Sequence, residues 1–553
     1  MKKILSLLFI TGCLQANAQS WEWLRSPNVV IGGNSGFKKI DLDNSGNVYS
    51  VGTLYKQASF GSTTLNSPGE YLSLFLSKQD AGGNYQFAQR IWADSGIFSA
   101  VMKLDDNANV YVFGTCGGTK LHLSPTDSIS FSSGGAVGSV NRLFLAKYNS
   151  SGTLIWVKKG EAPSFYANAR GITSIGSDIY IGGDYYGTCS FLGQNMVGSP
   201  ATKSFLMKVD ASGNGTWLKS SSNNAMCFIT RLTNDGSNIY ATGKFQNSLQ
   251  FDNINVVNPY ANPGGERIFL FKFNSSGTAQ WGKEEGGAHN YVTTAEDANN
   301  PNALAYDGNG YLYVGGSYQD SAGTIFNQLQ KPTVSKYDAN TGAKIWTARF
   351  PSEVENAING IAIDSNRNLI CVGEYKGSFT AGGINLPTDN TARKGMIMKL
   401  NSSDGACTAA SMIGNLNYTA NVNEILMAPN KSYYIIGGIY KENLDISTFS
   451  LNSSGFGTPF NAKYNLGTPL STHNLTTLSY NVYPNPCHES LNITRTGNES
   501  ATISIIDISG KLVHLQSSNN QTTSIDVSRL AAGQYFLSVL TEKGKGVQAF
   551  IKR

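Results

Sequence analysis

Few residues in this chain have the chemistry of a catalyst. The five histidines, His122, His289, His473, His488 and His514, share no spacing that would bring two imidazoles together, so a histidine metal centre is not expected. There is no His-Glu-x-x-His, no Gly-x-Ser-x-Gly and no phosphate-binding loop, since no Gly-Lys pair is followed by Ser or Thr. Asp41-Leu42-Asp43-Asn44-Ser45-Gly46 mimics the start of a calcium loop, but its twelfth position is Gly52, where a bidentate Glu is required. A tight turn explains it better, and no metal or cofactor is expected. The side chains of interest are charged: Lys39, Asp41, Lys103, Arg170, Arg231 and Glu424 form a set able to hold a polar ligand. Asp41 and Glu424, with Glu374, are also candidates for the paired carboxylates of glycoside cleavage, whose separation a sequence does not reveal.

What must position these residues is a repeat. A strand ending in glycine recurs seven times, from Val48-Tyr49-Ser50-Val51-Gly52 and Val110-Tyr111-Val112-Phe113-Gly114 to Tyr433-Tyr434-Ile435-Ile436-Gly437. Its final glycines lie 57 to 73 residues apart. Before it stands a turn opener (Asp43, Asp105, Ser174, Asn234, Asp307, Asp364, and once Ala428), with side chains suited to tight hairpins. After it comes a strand carrying lysine: Lys78, Lys147, Lys208, Lys272, Lys336, Lys399 and Lys463. Then an aromatic residue sits four positions past a turn glycine: Phe87, Trp156, Trp217, Trp281 and Trp346, with Ala409 the exception.

Each unit therefore reads as four short strands. One such sheet cannot bury both faces, whereas seven arranged radially can, which predicts a seven-bladed β-propeller. The seventh unit has its Lys463 strand but no fourth strand, and Trp23-Leu24-Arg25-Ser26 resembles Trp217-Leu218-Lys219-Ser220. The N-terminal strand is expected to complete the last blade and remove the open edge. The lysine and aromatic columns occur in every repeat and so should serve the repeat. Function should break the symmetry. Lys39, Asp41, Lys103, Arg170, Arg231 and Glu424 do so, lying in the first and innermost strand where other copies carry Ala, Leu, Ile or Gly. The aromatics after the anchor glycine (Tyr55, Tyr185, Tyr186, Phe245, Tyr318, Tyr375, Tyr440) suit either inter-blade packing or stacking on sugars, with packing favoured. The polar insertions at 116–140 and 253–266 are natural places for specificity. The repeat resembles the bacterial SBBP β-propeller repeat, best seen in Asp364-Ser365-Asn366-Arg367-Asn368-Leu369 and Leu143-Phe144-Leu145-Ala146-Lys147-Tyr148. That resemblance implies architecture and no single activity.

The two ends carry an address. Residues 1–18 read as a signal peptide: Lys2 and Lys3, a short apolar run, and Ala16-Asn17-Ala18, with cleavage between Ala18 and Gln19. Ile10-Thr11-Gly12-Cys13 has the form of a lipobox, which would lipidate Cys13, but it leaves a very short apolar region. Six cysteines follow at wide, irregular spacing without Cys-x-x-Cys, and read as small buried hydrophobes. No other stretch is apolar for long enough to span a membrane as a helix. Residues 480–553 alternate like the strands of a small antiparallel sandwich. They carry Val482-Tyr483-Pro484-Asn485-Pro486, Asp507-Ile508-Ser509-Gly510-Lys511-Leu512-Val513, Leu530-Ala531-Ala532-Gly533-Gln534-Tyr535 and a basic end. This segment resembles the type A C-terminal sorting domain of type IX secretion clients. The resemblance implies an Ig-like sandwich, engagement of the type IX machinery, and delivery to the surface or exterior of a Gram-negative cell.

The expected organisation is thus all-β: signal peptide 1–18, propeller 19–470, linker 471–479 and sorting domain 480–553. The chain has 553 residues, 40% hydrophobic and 14% charged, with 60 glycines. That composition buries a core and argues against disorder. A net charge of +5 is too weak for a dedicated nucleic-acid binder. A secreted or cell-surface binding protein for a glycan or protein, adhesin-like and without catalysis, is the leading expectation; a carbohydrate-active hydrolase or lyase is the alternative.

Overall fold

The computed structural model describes residues 19–30, 33–67, 71–131, 141–160, 165–198, 201–222, 226–259, 266–285, 299–319, 330–352, 356–388, 391–466, 476–477, 480–496, 499–507, 512–541 and 544–553. Ala18, Cys13, His289, His473 and most of the 471–479 linker lie outside them. Among the described residues there are strands and turns and no α-helix, so the chain is all-β. Two compact units separate, one over residues 19–466 and one over 467–553.

The larger unit is built on seven four-stranded antiparallel arrays in chain order. Their first strands are Asn34–Leu42, Ile97–Leu104, Phe165–Ile175, Cys227–Asn234, Asn299–Tyr306, Ala357–Ile363 and Ala420–Met427. Each pairs with the glycine-ended strand that follows, and that strand pairs with the lysine strand. The first array is extended by Asn28–Val29, Thr63–Ser67, Lys120–His122 and Ser128–Ser130. Each first strand packs against the first strand of the next array, and the seventh packs back on the first. The apolar core lies between neighbours: Leu74 and Leu76 of the first array meet Met102, Val112 and Phe144 of the second, and Leu24 joins the sixth and seventh.

The outer strand of the seventh array is Ser20–Arg25, antiparallel to Thr458–Asn465. Trp23 makes the bond that the aromatic column makes elsewhere. Its indole N–H donates to Ala81 of the first array at 3.0 Å. Likewise Trp217 donates to Ser275 of the fourth array (3.1 Å) and Trp346 to Ser402 of the sixth (3.1 Å). Beneath these rings sits the next array's turn glycine in left-handed backbone. A Cβ on Gly83 would stand 2.8 Å from the Trp23 ring, and one on Gly277 2.9 Å from Trp217. Only glycine satisfies both the positive φ and the close approach. The exception at Ala409 now has a cause. The array after it takes its outer strand from the N-terminus, so no third-to-fourth turn glycine exists there for an aromatic ring to cover.

The lysines serve the same seams. Lys78, Lys147, Lys208, Lys272 and Lys336 lie over Tyr49, Tyr111, Tyr180, Tyr240 and Tyr313, with ammonium-to-ring distances of 4.9 to 5.8 Å. Their heads reach carboxylates, as Lys208 to Asp178 at 2.8 Å, or the next array's turn carbonyl, as Lys336 to Ser402 at 2.8 Å. Lys399, whose array has Ile370 in place of Tyr, keeps only the carboxylate, Asp364, at 3.0 Å. Of the described cysteines, Cys116, Cys189, Cys227, Cys371 and Cys487 are buried, Cys407 is half-buried, and none forms a disulfide.

In the smaller unit a five-stranded and a three-stranded sheet share one apolar core, including Leu491, Ile493, Ile503, Ile505, Ile525, Leu537, Val539 and Phe550. The Pro-Asn-Pro segment is tied to the last strand. Asn485 Oδ1 accepts the Ile551 N–H at 2.9 Å, and the Cys487 N–H donates to the Ile551 carbonyl at 2.9 Å.

Candidate functional site

Every first strand in the larger unit carries a β-bulge: in five arrays it stands opposite the anchor glycine (Gly52, Gly183, Gly243, Gly316, Gly373), and it lies one residue further along in the seventh array and two further in the second. The pairing slips between Phe37 and Lys39, Ile97 and Ser99, Ala169 and Gly171, Ile229 and Arg231, Pro301 and Ala303, Ile358 and Gly360, and Val422 and Glu424. The extra residues are Lys38, Phe98, Arg170, Thr230, Asn302, Asn359 and Asn423. A bulge leaves one residue out of the ladder and re-aims its side chain. The backbone device recurs in all seven arrays, whereas its chemistry varies: two cations, an aromatic ring and a hydroxyl on one arc, three amides on the other.

The amide arc is tied together. Asn302 donates to Asn359 Oδ1 at 3.1 Å, and Asn359 donates to the Val422 carbonyl at 3.1 Å. Asn423 Oδ1 is buried with no hydrogen-bond donor among the described residues. The other arc opens into a cavity of about 770 Å³, lined by Lys38, Phe98, Arg170, Thr230 and Asn302, five of the seven bulge residues. Asn168, Asp184, Phe228, Arg231, Lys244, Glu266 and Asn300 complete much of its polar and aromatic wall. Phe98 (48% exposed) and Tyr166 (47% exposed) present their rings to it.

Two of the cavity's cations are held by carboxylates. Arg170 pairs with the fully buried Asp184, which also accepts from Asn168 at 2.8 Å, and lies over the Phe228 ring at 5.5 Å. Burial pushes the Asp184 carboxyl above its usual range, with Arg170 opposing. Lys244 pairs with Glu266 at 2.7 Å. The other two have no carboxylate within ion-pair distance among the described residues. Lys38 faces the cavity's solvent and makes no ion pair there; burial draws it down from the usual lysine value. Arg231 donates to the Thr230 carbonyl at 3.0 Å, and burial, then Arg170, pulls it down against the attraction of Glu424.

The charges expected from sequence separate into two groups. Arg170 and Arg231 line the cavity. Lys39, Asp41, Lys103 and Glu424 instead bridge neighbouring first strands: Lys39 to Glu424 at 2.6 Å, and Lys103 to Asp41 at 2.8 Å. Asp41 also accepts the Leu104 N–H at 2.8 Å. Lys39 is drawn down chiefly by burial, with Glu424 opposing and Arg231 adding to the depression. Glu374 is held by Arg393 at 3.3 Å, and burial raises its carboxyl. No three His, Cys, Asp or Glu side chains cluster as a metal site among the described residues. Most of the aromatics after the anchor glycine are core: Tyr185, Phe245, Tyr318, Tyr375 and Tyr440 are buried, and only Tyr186, at 47%, is strongly exposed. The insertion at 116–140 forms, in its described part, the short hairpin Lys120–His122/Ser128–Ser130, and that at 253–266 supplies Ile254–Val257, which pairs with Ser248–Phe251 just before it. Similar hairpins recur at Phe379–Ala381/Ile384–Leu386 and Asn443–Ile446/Phe449–Asn452. Sequence reading missed Lys38, Phe98, Thr230 and the three amides. A bulge shifts alternation by one residue, and the residues of the strand itself do not mark where.

Residues 481–553 match the family model of the secretion system C-terminal sorting domain. The uncharacterized WD repeat-containing protein L264 of Acanthamoeba polyphaga mimivirus is 25% identical over 336 residues, 56% of this chain. The chain spans only 22% of that relative's length. Among solved structures, a fungal alcohol oxidase of the AA5 family in complex with copper is similar at 11% identity, covering 97% of this chain and 100% of that one, with a TM-score of 0.40. A protein of unknown function from Dyadobacter fermentans is similar at 9% identity, covering 80% and 99%, with a TM-score of 0.38. Scores this low say nothing of activity. No helix among the described residues is long and apolar enough to cross a membrane. The sorting domain is the informative match: it directs the chain through type IX secretion to the cell surface or the extracellular space.

Proposed function

We propose that residues 19–470 form a seven-bladed β-propeller of SBBP-like repeats closed by its N-terminal strand, followed by the 471–479 linker and, over 480–553, an Ig-like sandwich that engages the type IX machinery. In this reading residues 1–18 are a signal peptide removed between Ala18 and Gln19. The cyclic packing of the first strands and the Trp23 clamp support the closed ring. The propeller is a non-enzymatic, adhesin-like binding protein. Its ligand is a glycan, held at the channel mouth by Arg170, Arg231 and the bulge residues. Lys39 with Glu424, and Lys103 with Asp41, set the strands that carry them.

One observation carries this reading: a backbone bulge recurs in all seven arrays, the side chains it presents range from cations and an aromatic ring to amides, and five of the seven face one cavity. Amides and hydroxyls for sugar hydroxyls, with exposed Phe98 and Tyr166 for ring faces, suit a saccharide. A hydrolase or lyase needs carboxylates free to act on substrate. The cavity's own carboxylates, Asp184 and Glu266, are each engaged by a cation. The purified full chain, screened against polysaccharides and a glycan array for both retention and product release, should bind without releasing product. Product release that disappears in Asp184→Asn or Glu266→Gln would establish the enzyme instead, and retention of protein ligands alone would move the partner to a surface protein.

A further inference from the structure

Resting on that reading, we infer that the saccharide is anionic, with its acidic groups drawn to the cavity's uncompensated cations, Lys38 and Arg231, and its sugar faces laid on Phe98 and Tyr166. Four cations, Lys38, Arg170, Arg231 and Lys244, line it with two carboxylates, Asp184 and Glu266. Both carboxylates are committed, to Arg170 and Lys244. Two positive charges therefore remain over. Glu424, which attracts Arg231, is itself bonded to Lys39 at 2.6 Å.

The cavity wall therefore carries a net positive charge with no carboxylate of its own left to answer it. Neither charge is needed to hold a strand, since the inter-strand bridges are Lys39–Glu424 and Lys103–Asp41. Lys38 occupies a bulge, the one position whose side chain the ladder does not place in a sheet face. An anionic ligand entering here gains charge-assisted contacts that a neutral one does not. The aromatic rings exclude a bare inorganic anion as the natural occupant, since they would stay exposed beside it; a pyranose carrying a carboxylate or sulfate satisfies both halves. The room available, about 770 Å³, is that of a short oligosaccharide rather than a single ion.

The test uses the full exported chain in affinity electrophoresis and calorimetry. The probes are polygalacturonate, its fully methyl-esterified form, dextran sulfate and neutral dextran. Polygalacturonate, dextran sulfate or both should bind, with salt weakening the interaction, and the methyl ester and dextran should bind at least about ten-fold more weakly. Which of the two anions is preferred separates carboxylate from sulfate recognition. Lys38→Gln with Arg231→Gln should weaken binding about ten-fold or more, the loss of a charge-assisted contact. Lys441→Gln, at an exposed lysine outside the cavity, should leave it unchanged. Phe98→Ala keeps both charges and should also weaken binding, which guards against a misfolded double variant. Equal binding of neutral and acidic polymers would overturn the anionic assignment while leaving glycan binding standing. Acidic binding that survives both cavity variants would overturn the site. Binding of no polysaccharide at all would overturn the functional reading itself.

Discussion

Replacing Trp23 by alanine should open the seam between the seventh and first arrays. Trp23 is 3% exposed, its N–H donates to Ala81 at 3.0 Å, and its ring covers Gly83. A buried indole withdraws about 150–250 Å² from water, worth roughly 4–6 kcal/mol at ~25 cal/mol per Å². Alanine retains the Cβ, and Trp→Ala truncations in cores cost about 3–5 kcal/mol; the hydrogen bond to Ala81 adds about 1 kcal/mol. A chain of two units is not expected to unfold in one step, so the readout must be local. Hydrogen exchange at residues 461–465, which pair with the Trp23 strand, reports the opening directly. Protection there should fall about a hundred- to a few-thousand-fold, as 3–5 kcal/mol requires. Amides of the Cys227–Asn234 strand, in the fourth array, should change little. Protection at 461–465 within three-fold of the parent, at about the precision of such a comparison, would refute the claim that this strand and its indole close the unit.

Further outcomes follow from the same contacts. Gly277→Ala meets both a φ of +80° and the Trp217 ring at 2.9 Å, whereas Gly236→Ala meets a φ of +86° and open space. Native-state hydrogen exchange in the fourth array should show about 1 kcal/mol lost for Gly236→Ala from backbone strain and a further ~1–3 kcal/mol for Gly277→Ala from overpacking. Arg170→Met leaves the buried Asp184 carboxylate without its cation and should cost about 3 kcal/mol at neutral pH. The folded Asp184 carboxyl is already raised by burial, and losing Arg170 raises it further. Protonation then favours the folded state, so the variant should regain stability relative to the parent as pH falls through that raised value; a constant deficit across the pH range would contradict the pairing. Truncation after Leu466 removes the sorting domain, and cell fractionation in a host with type IX secretion should find the product retained rather than at the surface or outside.

The repeat was legible in the sequence because its marks are local. Asp43, with Ser45 and Asn47 donating to it at 2.9 Å, and Asp105, with Asn107 and Asn109 donating at 3.0 and 2.8 Å, make their turns with side chains a few residues apart. Such chemistry shows wherever the spacing recurs. The strand resembling a fourth strand at Trp23 was legible for the same reason, as was the sorting segment, whose motifs lie along one short stretch. The pairing of Asn485 with the last strand, across 66 residues, was not.

What the sequence by itself determined is therefore the all-β class, the repeating unit, and the address to the cell exterior, each encoded in residues near one another in the chain. What only the tertiary structure decided is which charges are free to meet a ligand. Lys39 and Lys38 are neighbours, yet Glu424, 385 residues away, takes Lys39 into a bridge, while a slipped register turns Lys38 out of the ladder. Charge pairing across first strands and the placement of a bulge depend on partners that come together only when the arrays pack. No reading of alternation along one strand contains them, because a bulge is the place where alternation fails.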